Sequence, residues 1–293
     1  MIDLESPGSL KLLAETIHAD IDLWSIDKFN DGPRSHLGAS QIGKPCPRHL
    51  WYNFRWITHK VFSGRMYRLF QRGHREEAYI NEFLEGIGCI VTLFDDDNLH
   101  EKDKGKRQIR INDHEGHFGG SIDGKLQLPE RYAIKQDVIF LSEFKTKSTS
   151  KFAKLQLNGV QLEEHEHFCQ MSVYAHKLGL QYALYLSVNK NNDDLHVEIV
   201  KLDPYLGQEM LDKAGRIIWS QTPPNKISAS PTFFECKWCD SNETCWNNGP
   251  VLRNCRSCES CKPIANAQWE CARYGIIPKE FIRNGCVQWE SLV

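Results

Sequence analysis

Two short segments carry carboxylates and a lysine at a spacing that suits hydrolytic chemistry. Asp123 follows two glycines in one strand-like run, and Glu143 and Lys145 lie in a second run about twenty residues later. Residues two apart in a strand point to the same face, so Glu143 and Lys145 share a face. A hairpin between the two runs would bring Asp123 beside them.

Two carboxylates form a hard, oxygen-rich site that suits Mg²⁺ or Mn²⁺. A lysine beside such a site can orient or deprotonate the attacking water, or stabilise the charge of a phosphate. The set therefore indicates phosphodiester hydrolysis. Taken alone, Glu-x-Lys is also common in salt-bridged, solvent-facing hairpins, and that interpretation stays open at this point.

The cysteines form a second candidate site. Eight of the 11 follow residue 230, the total is odd, and the N-terminus has no secretory signal. These features favour metal binding over disulfides. Cys89 lies in a strand-like apolar run and Cys169 in a predicted helix beside Gln170, and both are predicted to be core residues. The remaining pattern is Cys236-x₂-Cys239-x₅-Cys245, then Cys255-x₂-Cys258-x₂-Cys261, then Cys271 and Cys286.

Residues 44–75 form a basic patch, with eight Lys or Arg, no Asp or Glu, and seven aromatics. Such cations neutralise phosphates, and aromatics stack on unpaired bases. We expect DNA contact from Arg48, Arg55 and Arg72, and from Lys147 after the second carboxylate segment. The alternative is that the aromatics are core residues and the arginines form a solvated face.

Hydrophobic periodicity and turn residues predict the elements that must position these side chains. The helix that follows the basic patch is predicted to end at Gly86, and a hairpin turn is expected at 191–194. The predicted helices are an N-terminal arm within 1–36 and segments 76–85, 162–178 and 204–220. The predicted strands are 89–94, 117–128, 138–144, 182–188 and 195–202.

The composition narrows the class of protein. The chain has 293 residues, a net charge of −2 and 41% apolar residues, as in ordinary globular proteins. No stretch is long and apolar enough for a membrane span, and we expect a cytoplasmic protein. A Walker motif is missing from the sequence, so an ATP-driven helicase is not expected.

Four segments together resemble the PD-(D/E)XK nuclease superfamily, in its RecB-like and phage-exonuclease branch. They are Arg72-Gly73-His74-Arg75-Glu76-Glu77, Ser121-Ile122-Asp123-Gly124, Glu143-Phe144-Lys145 and Gln170-Met171-Ser172-Val173-Tyr174.

The resemblance implies an α/β fold with a restriction-endonuclease-like mixed sheet flanked by helices. It also implies Mg²⁺ or Mn²⁺ held by Glu77, Asp123, Glu143 and the carbonyl of Phe144. Lys145 would position the water, with Gln170 and Tyr174 nearby. His74 is the alternative to Glu77 on the first helix.

The cysteine pattern also resembles that of the iron–sulfur branch of this superfamily. There, three such cysteines join a distant N-terminal one, here Cys46, around a [4Fe–4S] cluster; Zn²⁺ is the alternative. Related phage proteins carry a similar tail, which implies a structural Zn²⁺ site. Its expected ligands are Cys255, Cys258, Cys271 and Cys286, with Cys261 as an alternative.

The resulting expectation is a DNA exonuclease of phage-type recombination, replication or repair. Its regions would be an N-terminal helical arm (1–36), a nuclease core (37–230) and a Cys-rich, metal-binding C-terminal region (231–293). A helicase or a single-strand annealing or binding protein is an expected partner. The rivals are a structure-specific endonuclease with the same site and a non-catalytic DNA-binding adaptor with a metal staple.

Overall fold

The computed structural model describes residues 6–94, 108–135 and 137–293. Within these ranges, none of the helices has the length and apolarity that crossing a membrane requires. The predicted strand 89–94 is observed only at Ile90–Thr92. The helices are α1 Pro7–Phe29, α2 Pro47–Phe54, α3 Gly64–Gly86, α4 Thr149–Glu163, α5 His165–Leu178, α6 Pro204–Trp219, α7 Phe234–Lys237 and α8 Asn242–Asn247.

A five-stranded mixed sheet forms the centre of the fold, in the order β2-β5-β6-β7-β8. Only the β6–β7 pair is parallel, and α4 and α5 make the crossover between these strands. The predicted α/β class, with a mixed central sheet flanked by helices, is confirmed. The strands of this sheet are β2 Ile90–Thr92, β5 Gly124–Gln127, β6 Phe140–Lys147, β7 Tyr182–Asn189 and β8 Leu195–Lys201.

Two smaller sheets lie outside the central one. The order β1-β4-β3 places a short parallel pair beside an antiparallel one, and the order β9-β10-β11 is antiparallel and belongs to the cysteine-rich tail. Their strands are β1 Leu37–Gly38, β3 Arg110–Asp113, β4 Phe118–Ser121, β9 Cys261–Pro263, β10 Trp269–Cys271 and β11 Gly275–Ile276.

The strand predicted over 138–144 is observed at Phe140–Lys147, and three further predicted elements have wrong boundaries. The single strand predicted over 117–128 is two strands in different sheets, because the chain turns at 122–123. The predicted helix 162–178 begins at His165, and its first residues belong to the unpredicted α4. The helix predicted from residue 76 begins at Gly64, where Ser63 caps it by accepting from the Met66 N–H.

The β7–β8 hairpin and α6 lie where the sequence predicts them, apart from one or two terminal residues. Both have clear polar or capping residues at their ends, namely the polar turn at 190–194 and the N-cap Asp203 of α6. Cys89 and Cys169 are buried, as predicted. The N-terminal arm is helical, as expected, and ends at Asn30.

The cysteine-rich tail shares its core with the rest of the protein. Trp269 is fully buried and packs its ring 5.3 Å from that of Phe54 in α2. The Leu252 N–H donates to the Ile57 carbonyl at 2.9 Å, and the His117 ring bonds the Ile264 carbonyl at 2.8 Å. Residues 231–293 are therefore packed onto the core rather than set apart from it.

Candidate active site

The β5–β6 pairing brings Asp123 to the second carboxylate segment. Gly124 lies opposite Ser142 in the antiparallel register. Asp123 immediately precedes β5, and its Oδ2 accepts from the Phe144 N–H at 2.8 Å. The predicted convergence of the two segments is therefore present in the structure, and a backbone hydrogen bond fixes the Asp123 carboxylate.

Glu143 and Lys145 form a buried pair on β6. Glu143 is fully buried, whereas the Lys145 side chain is 28% exposed. Lys145 Nζ donates to Glu143 Oε1 and, at 3.0 Å, to the Phe144 carbonyl. Their common face, predicted from strand parity, is confirmed. The solvent-facing hairpin is excluded because Glu143 has no exposed surface.

Burial and neighbouring charges set the ionisation of this pair. Burial raises the pKa of Glu143 to about 7, Lys145 opposes the rise, and Asp123 adds to it. Burial by itself lowers the pKa of Lys145, but the charges of Glu143 and Asp123 outweigh it, so that pKa lies above its ordinary value. The lysine therefore stays charged at neutral pH.

Glu77 in α3 faces the same group of charges. Burial raises its pKa to about 7, Asp123 raises it further, and Lys145 opposes the rise. Glu77 and His74 both line the cleft in front of Lys145. The preference for Glu77 over His74 stays a prediction, although Glu77 is the one whose pKa responds to Asp123.

Gln170 and Tyr174 lie one helical turn apart on α5, as predicted, and both are buried. Gln170 Nε2 donates to Glu143 Oε2 at 3.5 Å and to Tyr174 Oη at 3.4 Å. Tyr174 Oη in turn donates to the Ser121 carbonyl at 3.0 Å. This chain of hydrogen bonds connects both carboxylate segments through one helix.

A cleft of about 910 Å³ opens in front of these residues. Its wall includes Glu77, Phe144 and Lys145 from the candidate site. A phosphate backbone entering the cleft would therefore meet positive charge next to the carboxylates. The basic side chains that line the cleft are Arg34, Lys44, Lys60 and Lys190, of which Lys60 is paired with Asp240 of the same wall at 2.6 Å.

The structure contradicts two of the predicted DNA contacts. Arg55 is fully buried, and its Nη1 donates to the Cys261 carbonyl at 2.9 Å. Lys147 is 7% exposed and pairs with Glu164 at 2.5 Å, so its charge is already satisfied. Five of the seven patch aromatics are also buried, namely Trp51, Tyr52, Phe54, Trp56 and Tyr67.

Arg72 and Arg48 differ in their surroundings. Arg72 is exposed and donates to the Lys190 carbonyl at 3.0 Å, near the cleft. Arg48 donates to the Pro224 carbonyl at 2.6 Å and lines a separate cavity that also contains cysteines. Their roles as DNA contacts stay predictions, and Arg72 has the more accessible position.

The sequence interpretation missed a polar cluster beside the site. His167 Nδ1 lies 3.0 Å from Tyr185 Oη and 3.2 Å from Glu164. Burial and the charge of Lys145 lower the pKa of His167, so the ring is neutral. Its spacing from Gln170, three residues along the helix, places both on one face, and this signal was available in the sequence.

Four free cysteines line one cavity of about 340 Å³ between α2 and the tail. They are the set that the resemblance implies, with Cys46 at the N-cap of α2. Cys239 Sγ also lies 3.3 Å from His49 Nδ1. The other three cysteines of this cavity are Cys46, Cys236 and Cys245.

A second cavity of about 290 Å³, inside the tail, is lined by five free cysteines. Across the described ranges, however, no group of three or more His, Cys, Asp or Glu side chains stands ready in metal-binding geometry. The thiols of each group therefore line a common cavity but are not arranged around a single point. The five are Cys255, Cys258, Cys261, Cys271 and Cys286.

Neither a family model nor a curated protein matches the chain. Similar solved structures include that of SSO0001, with a TM-score of 0.43 and 14% identity over 79% of this chain and 97% of that one. Another is the alkaline exonuclease LHK-Exo from Laribacter hongkongensis, with a TM-score of 0.42 and 16% identity over 65% of this chain and 90% of that one. Its complex with dAMP gives the same values.

Proposed function

We propose that this protein is a metal-dependent nuclease that hydrolyses phosphodiester bonds in DNA and acts as an exonuclease. The observation that carries the proposal is the convergence of Asp123, Glu143 and Lys145 at a cleft that Glu77 also lines. Two carboxylates and a lysine in this arrangement suit phosphoryl chemistry. The basic side chains along the same cleft suit a polyanionic substrate.

The proposed metal site consists of Glu77, Asp123, Glu143 and the carbonyl of Phe144. Its donors are all oxygens, the ligand type that Mg²⁺ and Mn²⁺ prefer. Glu77 and Glu143 both have a pKa of about 7, which burial and the nearby Asp123 raise. A divalent cation would relieve this crowding of negative charge, so the residues fit the ion. The ion would supply charge neutralisation at the phosphate.

The remaining side chains hold the reacting groups in place. Lys145, which stays charged, would orient the attacking water and stabilise the phosphate. Gln170 holds the second oxygen of Glu143, and Tyr174 holds Gln170 together with the Ser121 carbonyl. We therefore assign Lys145 to the chemistry and treat Gln170 and Tyr174 as positioning residues.

The deciding experiment is a cleavage assay with the full chain purified without oxygen. End-labelled linear and closed circular DNA, single- and double-stranded, are incubated with Mg²⁺, Mn²⁺ or EDTA. Lys145→Met is compared with Lys201→Met, which changes an exposed lysine at the end of the edge strand β8, with β7 between it and β6. We expect metal-dependent loss of linear DNA, reduced about 10²- to 10⁴-fold in Lys145→Met and unchanged in Lys201→Met.

The other outcomes separate the rival functions. Cleavage of closed circles would replace the exonuclease by an endonuclease with the same site. DNA binding without cleavage in any metal would favour the non-catalytic adaptor. Equal activity of Lys145→Met and the wild type would refute the assignment of Lys145.

The cavity of Cys46, Cys236, Cys239 and Cys245 is proposed to hold a [4Fe–4S] cluster, with Zn²⁺ as the alternative. The four thiols come from both sides of the core–tail contact, and a metal there would join residue 46 to the tail. An absorption spectrum and the iron and zinc content of anaerobically purified protein distinguish these metals. Cys236→Ser with unchanged metal content would refute the site.

We also propose that residues 231–293 serve as a metal-stapled region for the nuclease core of 37–230, after the helical arm of 1–36. A role in phage-type recombination, replication or repair, with a helicase or a single-strand annealing or binding protein as partner, rests on the family resemblance alone. Copurification of such a partner with tagged protein from its native host would test it.

A further inference from the structure

Two arginines are buried where the core meets the tail. Arg55 follows α2 and is fully buried, and Arg256, between two tail cysteines, is 2% exposed. The Arg256 guanidinium lies 4.0 Å from the ring centre of Trp56 and 4.4 Å from that of Trp269. The Arg55 guanidinium lies 5.3 Å from the same Trp269 ring. Two like charges therefore share one aromatic cluster.

In the described part of the chain, neither arginine forms an ion pair with a carboxylate. Arg55 donates to the Cys261 carbonyl and to Gln221 Oε1, and Arg256 donates to the carbonyls of Phe54 and Ser35. The Nε atoms of both arginines are buried without an acceptor.

Buried charges are normally paired with opposite charge, because an unpaired charge in a protein interior costs free energy. The tail residue that Arg55 contacts is Cys261, whose carbonyl accepts from Nη1 at 2.9 Å. Arg256 lies between Cys255 and Cys258 in the sequence. Both guanidinium groups therefore lie beside tail cysteines, and four thiolates bound to a metal there would supply the missing negative charge.

The tail brings Cys261 to three other thiols. Cys261 and Cys271 are directly opposite each other in the β9–β10 pair. Side chains at such positions have Cβ atoms about 4.5–5.5 Å apart. The Cys258 N–H donates to the Cys255 carbonyl at 3.2 Å, and the Cys261 N–H to the Cys258 carbonyl at 3.1 Å. These consecutive turns and the strand pair face one cavity.

Cys286 differs from the other four cysteines of the cavity in its exposure. It follows Gly285 outside the strands, and it is the one exposed residue among the five cysteines of the cavity. Structural zinc sites are closed, four-coordinate sites, and they need four of these five thiols. Burial and register therefore favour Cys261 over Cys286, which reverses the order that the family resemblance implies.

We propose that Cys255, Cys258, Cys261 and Cys271 bind one structural Zn²⁺, and that Arg55 and Arg256 balance the charge of this centre. Four thiolates around a divalent ion leave two net negative charges, which match the two guanidinium groups. Binding replaces four S–H bonds by four S–Zn bonds and releases the four protons to solvent. The thiol side chains rotate towards the common cavity as they bind. The site is independent of phosphodiester cleavage, so its test and that of the nuclease are separate.

The first test maps zinc protection in the unmutated full chain. Zinc-loaded protein is treated with iodoacetamide under native conditions, with and without EDTA, and each cysteine peptide is quantified by mass spectrometry. We expect Cys286 to react while zinc stays bound. Cys255 and Cys271, which are half-buried, should react only after EDTA removes the metal. Zinc protection of Cys286, or equal labelling of Cys255 and Cys271 with and without zinc, would overturn the proposal.

The second test concerns the ligand set. Cys286→Ser should bind the same amount of zinc per chain as the unmodified protein, whereas loss of one zinc equivalent would overturn the assignment. Because Cys286 is exposed, this substitution does not disturb the buried core.

The third test concerns charge balance. Arg256→Met should release the tail zinc to a chelator at least tenfold more readily, and Arg256→Lys should recover part of the retention. Arg273→Met is the matched control, since Arg273 is an exposed tail arginine paired with Glu290. Equal retention in Arg256→Met and Arg273→Met would refute the role of the arginine.

Discussion

The Lys145→Met substitution tests the physical basis of the candidate site without any assumption about metal or substrate. It removes the ammonium group that contacts Glu143 and leaves that carboxylate fully buried. The remaining side-chain hydrogen bond to Glu143 is the long one from Gln170, at 3.5 Å. We therefore expect Lys145→Met to destabilise the metal-free protein strongly at alkaline pH.

The magnitude follows from breaking a buried ion pair on one side, which costs about 3–5 kcal/mol. Lys145 is 28% exposed, which places the expected loss near the lower limit, at about 3 kcal/mol. With a urea dependence of roughly 3 kcal/mol per M, this corresponds to a shift of about 1 M in the unfolding midpoint. A surface lysine such as Lys201 should change the free energy of unfolding by less than about 0.5 kcal/mol.

The pH dependence of the loss has a definite sign. Burial raises the pKa of Glu143 from 4.5 to about 7 in the folded protein, so the folded state binds more protons than the unfolded state between these values. Stability therefore falls as pH rises through this window. Lys145 holds that pKa down, so its removal raises the pKa and extends the window upward. The gap between Lys145→Met and the wild type should grow from pH 5 to pH 8.5.

Urea unfolding in EDTA at several pH values measures this effect. The double variant Glu143→Gln/Lys145→Met removes both charges and should regain most of the stability that Lys145→Met loses, because no unpaired buried charge remains. A double variant as unstable as Lys145→Met would refute the argument. So would a loss that is the same at pH 5 and pH 8.5.

Three further substitutions test the positioning of the site. Gly120→Ala would place a Cβ atom 2.5 Å from Tyr174 Oη, so we expect a stability loss of about 1–3 kcal/mol by thermal unfolding and slower cleavage. Tyr174→Phe leaves the Ser121 carbonyl without its donor, with an expected loss of about 1–3 kcal/mol in urea unfolding. Gly73 lies within α3, and no atom lies within 4 Å of the methyl group that Gly73→Ala would add. This substitution should instead raise the free energy of unfolding by about 0.5–1 kcal/mol. A lower free energy of unfolding would contradict a helical conformation at residue 73.

The sequence predicts best those features that depend on neighbouring residues. The β7–β8 hairpin combines a continuous apolar run in β7, an alternating run in β8 and a polar turn between them, and the structure contains it. The meeting of Asp123 with Glu143 and Lys145 needs only one hairpin and the parity of a strand. Both lie within about 25 residues, so local pattern is sufficient for them.

The sequence-based predictions are wrong where contacts with distant segments determine the position of a residue. Composition suggests that Arg55, in a segment with no acidic residue, faces solvent or DNA. Its partners are carbonyls and rings of the tail, some 200 residues later in the chain. The kink at Gly159 inside α4 likewise depends on a distant residue. Glu198 in β8 accepts from the Val160 N–H at 3.0 Å, next to Gly159 with its φ of +72°.

Both cysteine groups lie next to the same short helix, α2. Cys46 is its N-cap residue and faces the first cysteine cavity, and Arg55 is its C-cap residue and donates to the Cys261 carbonyl of the second. The contact is reciprocal, because Arg256 of the tail donates to the Phe54 carbonyl at the end of the helix. Between these ends, His49 of α2 lines the cleft of the candidate active site. The tail therefore contacts a helix that lines that cleft, through Arg55 and Arg256 at its C-terminal end and through His49 in its first turn.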